Sequence, residues 1–135
     1  SSRSPLWIGG GITFGPRADA NWHLKFPTKM RRLAVAMAIS QKQIDGQLVI
    51  VSDFAAKEAK TKLVAQDIAK LAPDMRKVLL VVEKIDDNLW IASRNIAHLE
   101  LLSTANLTVY DILHCHTLIM TESALNIMAK QYENK

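Results

Sequence analysis

Residues Lys77 to Ile96 read KVLLVVEKIDDNLWIASRNI, and this stretch decides the fold class. Val78 to Val82 is a short, unbroken apolar run of the kind found in strands covered on both faces. Asp86, Asp87 and Asn88 follow with oxygens able to cap a helix, which the spacing predicts through Arg94. The unit is therefore strand then helix, and the same alternation recurs in both directions along the chain.

Toward the C-terminus, Leu99 to Leu102 predicts a third strand, Thr108 to Leu113 a brief helical turn, and Leu118 to Met120 the centre of a fourth strand. A last helix is predicted from about Glu122 to Tyr132, with Leu125, Ile127, Met128 and Tyr132 supplying much of its apolar surface. Toward the N-terminus, a helix ended by Pro73 is predicted, with Leu63, Val64, Ile68 and Leu71 on one face and Lys60, Lys62, Asp67 and Lys70 elsewhere. Before it, Leu48 to Val51 follows an Asp45-Gly46 turn and reads as a buried strand. Pro27 stands where a first-turn proline is tolerated, and Met30, Leu33, Ala34, Met37 and Ala38 follow at helical spacing to about Gln43.

Apolar strands alternating with helices require crossovers over both faces of a sheet. The expected class is three-layer α/β, an open, mainly parallel sheet of about four strands with helices on both faces. Residues 26–135 form this predicted body. Residues 1–25 show neither a period of two nor one of 3.6 and read as an extended, glycine-rich basic arm. Structureless segments longer than about 12 to 15 residues are usually functional or disordered.

The chain has 135 residues and is 49% hydrophobic, enough to bury an ordinary core. No run of about 18 apolar residues exists, so no membrane contact is expected. The single cysteine, Cys115, permits no internal disulfide and no zinc cluster.

The formal charge is only +4, but it is unevenly distributed. Ser1 to Gln43 holds Arg3, Arg17, Lys25, Lys29, Arg31, Arg32 and Lys42 against Asp19 alone. The remainder carries ten basic and twelve acidic residues. Such concentration on one arm and one helix start points to a polyanionic partner, and RNA is the expected one. Arg grips phosphate with a planar fork and Lys acts as a point charge, so both suit a backbone-binding surface.

Gly9, Gly10 and Gly11 with Gly15 resemble a phosphate loop. Phe14 breaks the dinucleotide spacing, however, and no Gly-Lys-Ser/Thr follows. The favoured reading is a segment whose backbone approaches RNA closely, because glycine presents no side chain to clash with phosphate. Trp7, Phe14 and Trp22 alternate with Arg3, Arg17 and Lys25. The rings can stack on unpaired bases or anchor the arm to its own body, and both readings stand at this point.

Two constellations invite enzymology. His114-Cys115-His116 has no acid or amide at a diagnostic spacing, and adjacent strand residues rarely share one metal, so structural roles are expected. Glu83, Asp86 and Asp87 lie after the second strand, where open α/β sheets commonly bind ligands. They define the alternative function, a small nucleotide- or Mg²⁺-binding enzyme, against the simpler reading of a solvated turn and helix cap.

The strings RSPLWIGGGITFGPR, KFPTKMRRLAVAMAIS, LVIVSDF, KVLLVVEKIDDNLWIASRNI and LTVYDILHCHTLIMTESAL together resemble the universal large-subunit ribosomal protein four family over essentially the whole chain. The resemblance implies an α/β body and a long basic loop penetrating ribosomal RNA toward the peptide exit tunnel. Arg3, Trp7, Gly9, Gly10, Gly11, Phe14 and Arg17 would belong to the returning half of that loop, followed by Lys25. Lys29, Arg31 and Arg32 match the basic start of the next helix, also against RNA. The implied role is structural: stabilising large-subunit RNA during assembly, without catalysis. No cofactor is implied, and any magnesium would belong to the surrounding RNA.

Two departures from the family pattern shape further expectations. Ile8 stands where a basic residue usually precedes the glycine triplet. The family's leading strand, helix and outgoing half-loop have no counterpart in this sequence, so a separate chain supplying them is one expected partner, beside neighbouring large-subunit proteins. The divergence favours a mitochondrial ribosome, with plastid and bacterial origins open.

Overall fold

The computed structural model describes residues 2–56, 58–74 and 76–133, the last two by backbone alone. Residues 2–27 contain turns but no helix or strand. The remaining described residues form α1 (Thr28–Ile44), β1 (Leu48–Val51), α2 (Thr61–Leu71), β2 (Val78–Val82), α3 (Asp87–Ser93) and β3 (Leu99–Ser103). A short 3-10 turn (Thr104–Asn106) leads to α4 (Val109–His114), β4 (Thr117–Thr121) and α5 (Glu122–Glu133). No helix among the described residues is long and apolar enough to cross a membrane.

The four strands form one sheet in the order β1-β4-β2-β3, and every pairing is parallel. In register, Leu80 of β2 faces Leu101 of β3 on one side and Ile119 of β4 on the other. Strand pleating sends alternate side chains to opposite faces, and the central strands use both. Leu79, Val81, Leu118 and Met120 enter a core with Val35 and Ala38 of α1, Ile112 of α4, and Ala124 and Met128 of α5. Val78, Leu80, Val82 and Ile119 enter a second core with Val64 and Ile68 of α2 and Leu89 and Ala92 of α3. These two cores make the fold a three-layer α/β sandwich.

The assignment of helices to faces follows from crossover handedness. Parallel connections are right-handed in nearly all proteins, so a connecting helix must change face when the chain reverses its direction across the sheet. Helices α2 and α3 carry the chain from β1 outward to β3 on one face, and α4 brings it back to β4 on the other.

Four expectations are corrected by this arrangement. Strand β1 is half-buried rather than buried, and Ile50 is 49% exposed, because β1 is an edge strand whose sole neighbour among the described residues is β4. In α1, the face that docks is Val35, Ala38 and Lys42, whereas Met30, Leu33 and Met37 are exposed. The helix is apolar on two nearly opposite sides, and the smaller side chains Val35 and Ala38 let it approach the sheet closely. In α2 only Val64 and Ile68 are buried, and Leu63 lies at the rim. In α5 the buried contacts come from Ala124 and Met128, with Leu125 packed partly against the core. The side chain of Tyr132 lies outside the described residues.

Candidate nucleic-acid interface

Backbone geometry explains the glycines of the arm first. The Trp7 amide donates to the Ser4 carbonyl (3.0 Å), the Gly10 amide to Trp7 (2.9 Å) and the Gly11 amide to Arg3 (3.1 Å), closing a compact turn. Gly9 sits at φ +79°, a left-handed conformation that other residues adopt only at a cost. At Gly10 any Cβ would collide with the Ser4 carbonyl oxygen. Both glycines are thus required by the arm's own turn. Gly11 is less restricted, since its nearest obstacle is the Arg3 carbonyl at an ordinary 3.6 Å.

That turn displays its side chains outward. Trp7 is 67% exposed, Phe14 84% and Trp22 87%, so none of the three rings anchors the arm to the body. Leu6, Ile8, Ile12 and Leu24 are equally bare. So many uncovered apolar groups on one segment are characteristic of an interaction surface.

Helix α1 begins immediately after Pro27, which occupies the N-cap position with extended backbone and accepts the Arg31 amide at 3.2 Å. No side chain caps this terminus, and its first turn contains no acid. The helix dipole places partial positive charge at this end, where Asp or Glu is normally favoured by about 0.3 to 1 kcal/mol. Lys29, Arg31 and Arg32 sit there instead, all exposed. Among the described residues, none of Arg3, Arg17, Lys25, Lys29, Arg31 and Arg32 is in an ion pair. In the body, Lys60, Lys70 and Lys77 each pair with a carboxylate, whereas Lys62, Lys84 and Lys130 are in no ion pair among the described residues. Repulsion between these cations and the helix terminus raises the free energy of the uncomplexed protein, and a phosphate would relieve it.

Lys42 departs from this pattern. Although it belongs to the basic N-terminal third, it is buried in the α1 core face and its ammonium is bonded internally.

The sequence pattern of the Ribosomal protein L4/L1 family matches residues 1–131. The chain belongs to that family. It is 39% identical over 124 residues to the large ribosomal subunit protein uL4 of Maridesulfovibrio salexigens, covering 92% of this chain and 59% of that protein. The uL4 of Solidesulfovibrio magneticus is 36% identical over 131 residues, covering 96% and 61% respectively. That of Onion yellows phytoplasma is 39% identical over 126 residues, covering 93% and 60%. The chain therefore spans about 60% of the length of these curated relatives.

As an L4/L1 family member, the chain carries its other conspicuous residues in separate settings. Glu83 and Asp86 border a crevice of about 280 Å³ at the carboxyl ends of β1, β2 and β4, together with Asp53 and Thr121, but Asp87 does not line it. Asp86 occupies the N-cap position of α3 without a side-chain capping bond. Among the described residues, no group of three potential ligands is placed to hold a metal ion.

The His-Cys-His run is likewise dispersed. His114 stacks on Tyr110, with ring centroids 5.2 Å apart. Cys115 is buried and donates to the Ile112 carbonyl at 3.1 Å, and burial pushes its thiol pKa up. His116 Nε2 lies 3.7 Å from Asp74. Sequence reasoning overlooked Tyr110, which packing of α4 against α1 brings near Arg31 and Arg32 around one groove. Its tyrosine carried no periodic signal, and only the fold relates it to the basic helix start.

Proposed function

We propose that this chain is a structural, non-catalytic component of the large ribosomal subunit. It binds and stabilises large-subunit RNA through an arm of residues 1–25 and the start of α1. The observation that carries this reading is the set of six exposed cations on the arm and the start of α1 that have no carboxylate partner among the described residues, with one acid, Asp19, in the same stretch. Membership in the L4/L1 family and the names of its bacterial relatives support the ribosomal setting.

Arg3, Arg17, Lys25, Lys29, Arg31 and Arg32 neutralise phosphates, while Trp7 and Phe14 stack on unpaired bases. Gly9 and Gly10 hold the arm's turn, and Gly11 lets its backbone approach the RNA. The arm points toward the peptide exit tunnel. The body serves as a rigid platform, and the uncovered stripe of Met30, Leu33 and Met37 on α1 supports a protein neighbour there, either another large-subunit protein or a separate chain completing the family fold.

The test is gradient sedimentation of a tagged copy at low and high salt, with and without ribonuclease. Recovery with large subunits after a high-salt wash, lost on RNA digestion, is expected. Migration only at the top of the gradient would overturn the proposal. For the compartment, the chain's overall divergence from the family pattern favours a mitochondrial ribosome and the bacterial relatives favour a bacterial one; imaging of the same tagged copy distinguishes them.

A further inference from the structure

Between α1, α4 and α5 lies a groove of about 440 Å³, within the roughly 300 to 1,000 Å³ typical of small-ligand pockets. Its apolar side is formed by Val35, Leu107 and Met128, and Arg31, Arg32 and Tyr110 also line it. Tyr110 is 70% exposed, so its ring is accessible from solvent at the edge of the groove. Its ring is stacked on His114 at an interplanar angle of 18°. The stack favours one orientation of the phenol, and ordering an aromatic platform beforehand reduces the cost of stacking a further ring on it.

We infer that this groove receives a single unpaired RNA nucleotide, its base against Tyr110 and its phosphate between Arg31 and Arg32. The inference rests on the RNA-binding reading above and specifies which feature of the RNA this surface selects. Charge and shape choose the occupant together. Two arginines without carboxylate partners among the described residues call for an anion. The apolar side and the exposed ring call for a flat, weakly polar group. A nucleotide displaced from its helix supplies both on one residue, whereas continuous duplex RNA offers phosphates but keeps its bases stacked inside. Stacking is tolerant of base identity, so the groove selects an unpaired position rather than a sequence.

Fluorescence anisotropy with the 135-residue chain tests this, using a labelled RNA duplex with one bulged adenosine and the same duplex without it. The intact protein should prefer the bulged duplex by roughly 5- to 150-fold, the range that one base–aromatic stack supplies. Tyr110→Ala should abolish the preference while leaving affinity for the plain duplex unchanged, and Tyr110→Phe should retain it. Equal binding of both duplexes by the intact protein, or a preference that survives Tyr110→Ala, would overturn the inference while the RNA-binding reading stands. Failure to bind either duplex at low salt would overturn both.

Discussion

The Lys42 ammonium donates a 2.7 Å hydrogen bond to the backbone carbonyl of Cys115, joining α1 to the segment that enters β4 across 73 residues of sequence. Its other protons meet Gln47 Oε1 at 2.7 Å and the His116 carbonyl at 3.3 Å. An ammonium has three donors, and all three are used. That full satisfaction is what makes a lysine tolerable in a core-facing position, since an unpaired buried charge would cost several kcal/mol. The bond ties the end of α1 opposite its basic start to the entry of β4.

Lys42→Met should therefore destabilise the fold by about 2 kcal/mol, the scale of hydrogen bonds to a charged donor. Urea denaturation followed by circular dichroism measures it. RNA affinity of the folded variant should be unchanged, because this charge is spent inside the protein. A variant as stable as the parent would show that the contact contributes nothing net.

Cys115 gives the fold an alkaline limit. Burial raises its thiol pKa above the ordinary 9.0, so above that pH the unfolded chain loses its thiol proton while the folded chain keeps it. The unfolded state then binds fewer protons, and stability falls as pH rises, by up to about 1.4 kcal/mol per pH unit for this one group. Below pH 9.0 the contribution is fully present. Cys115→Ala should show a shallower decline between pH 9 and 10 than the parent. Parallel declines in the two proteins would contradict the burial argument.

Gly10→Ala separates arm geometry from body stability. The new methyl would strike the Ser4 carbonyl and open the turn closed by Gly11 on Arg3. The melting temperature should shift by less than about 1 °C because the arm contributes nothing to either core, while limited proteolysis within residues 2–15 should accelerate and RNA affinity should fall. Unchanged cleavage and affinity would show that the turn is irrelevant to binding.

The contrast between β1 and β2 explains how much of the fold was legible in the sequence. LVIV at 48–51 and VLLVV at 78–82 read alike, and both are strands at those residues. Their positions in the sheet are set by pairing between distant segments, so the run cannot reveal that β1 lies at the edge. Helix α1 was visible from its spacing, but two apolar faces satisfied the same period, and packing chose Val35 and Ala38 over Met30 and Leu33. At the candidate interface, the contiguous basic residues were readable because charge clustering is local. Lys42 looked like another member of that cluster until the approach of β4 gave it acceptors. Tyr110 was invisible because its relation to Arg31 exists only after α1 and α4 pack. The capping box of α4, in which Thr108 accepts the Asp111 amide and Asp111 accepts the Thr108 amide, escaped notice because Asp replaces the longer acid usual in that motif.

The salt dependence of RNA affinity tests the central claim most directly, measured for the parent and for Arg31→Ala/Arg32→Ala. Each neutralised phosphate contributes roughly 0.7 to 0.9 to the slope of log affinity against log salt. Loss of two contacts should therefore flatten that slope by about 1.5, with the fold intact because both side chains are exposed. An identical slope and affinity in the double variant would contradict the account and remove the start of α1 from the RNA surface.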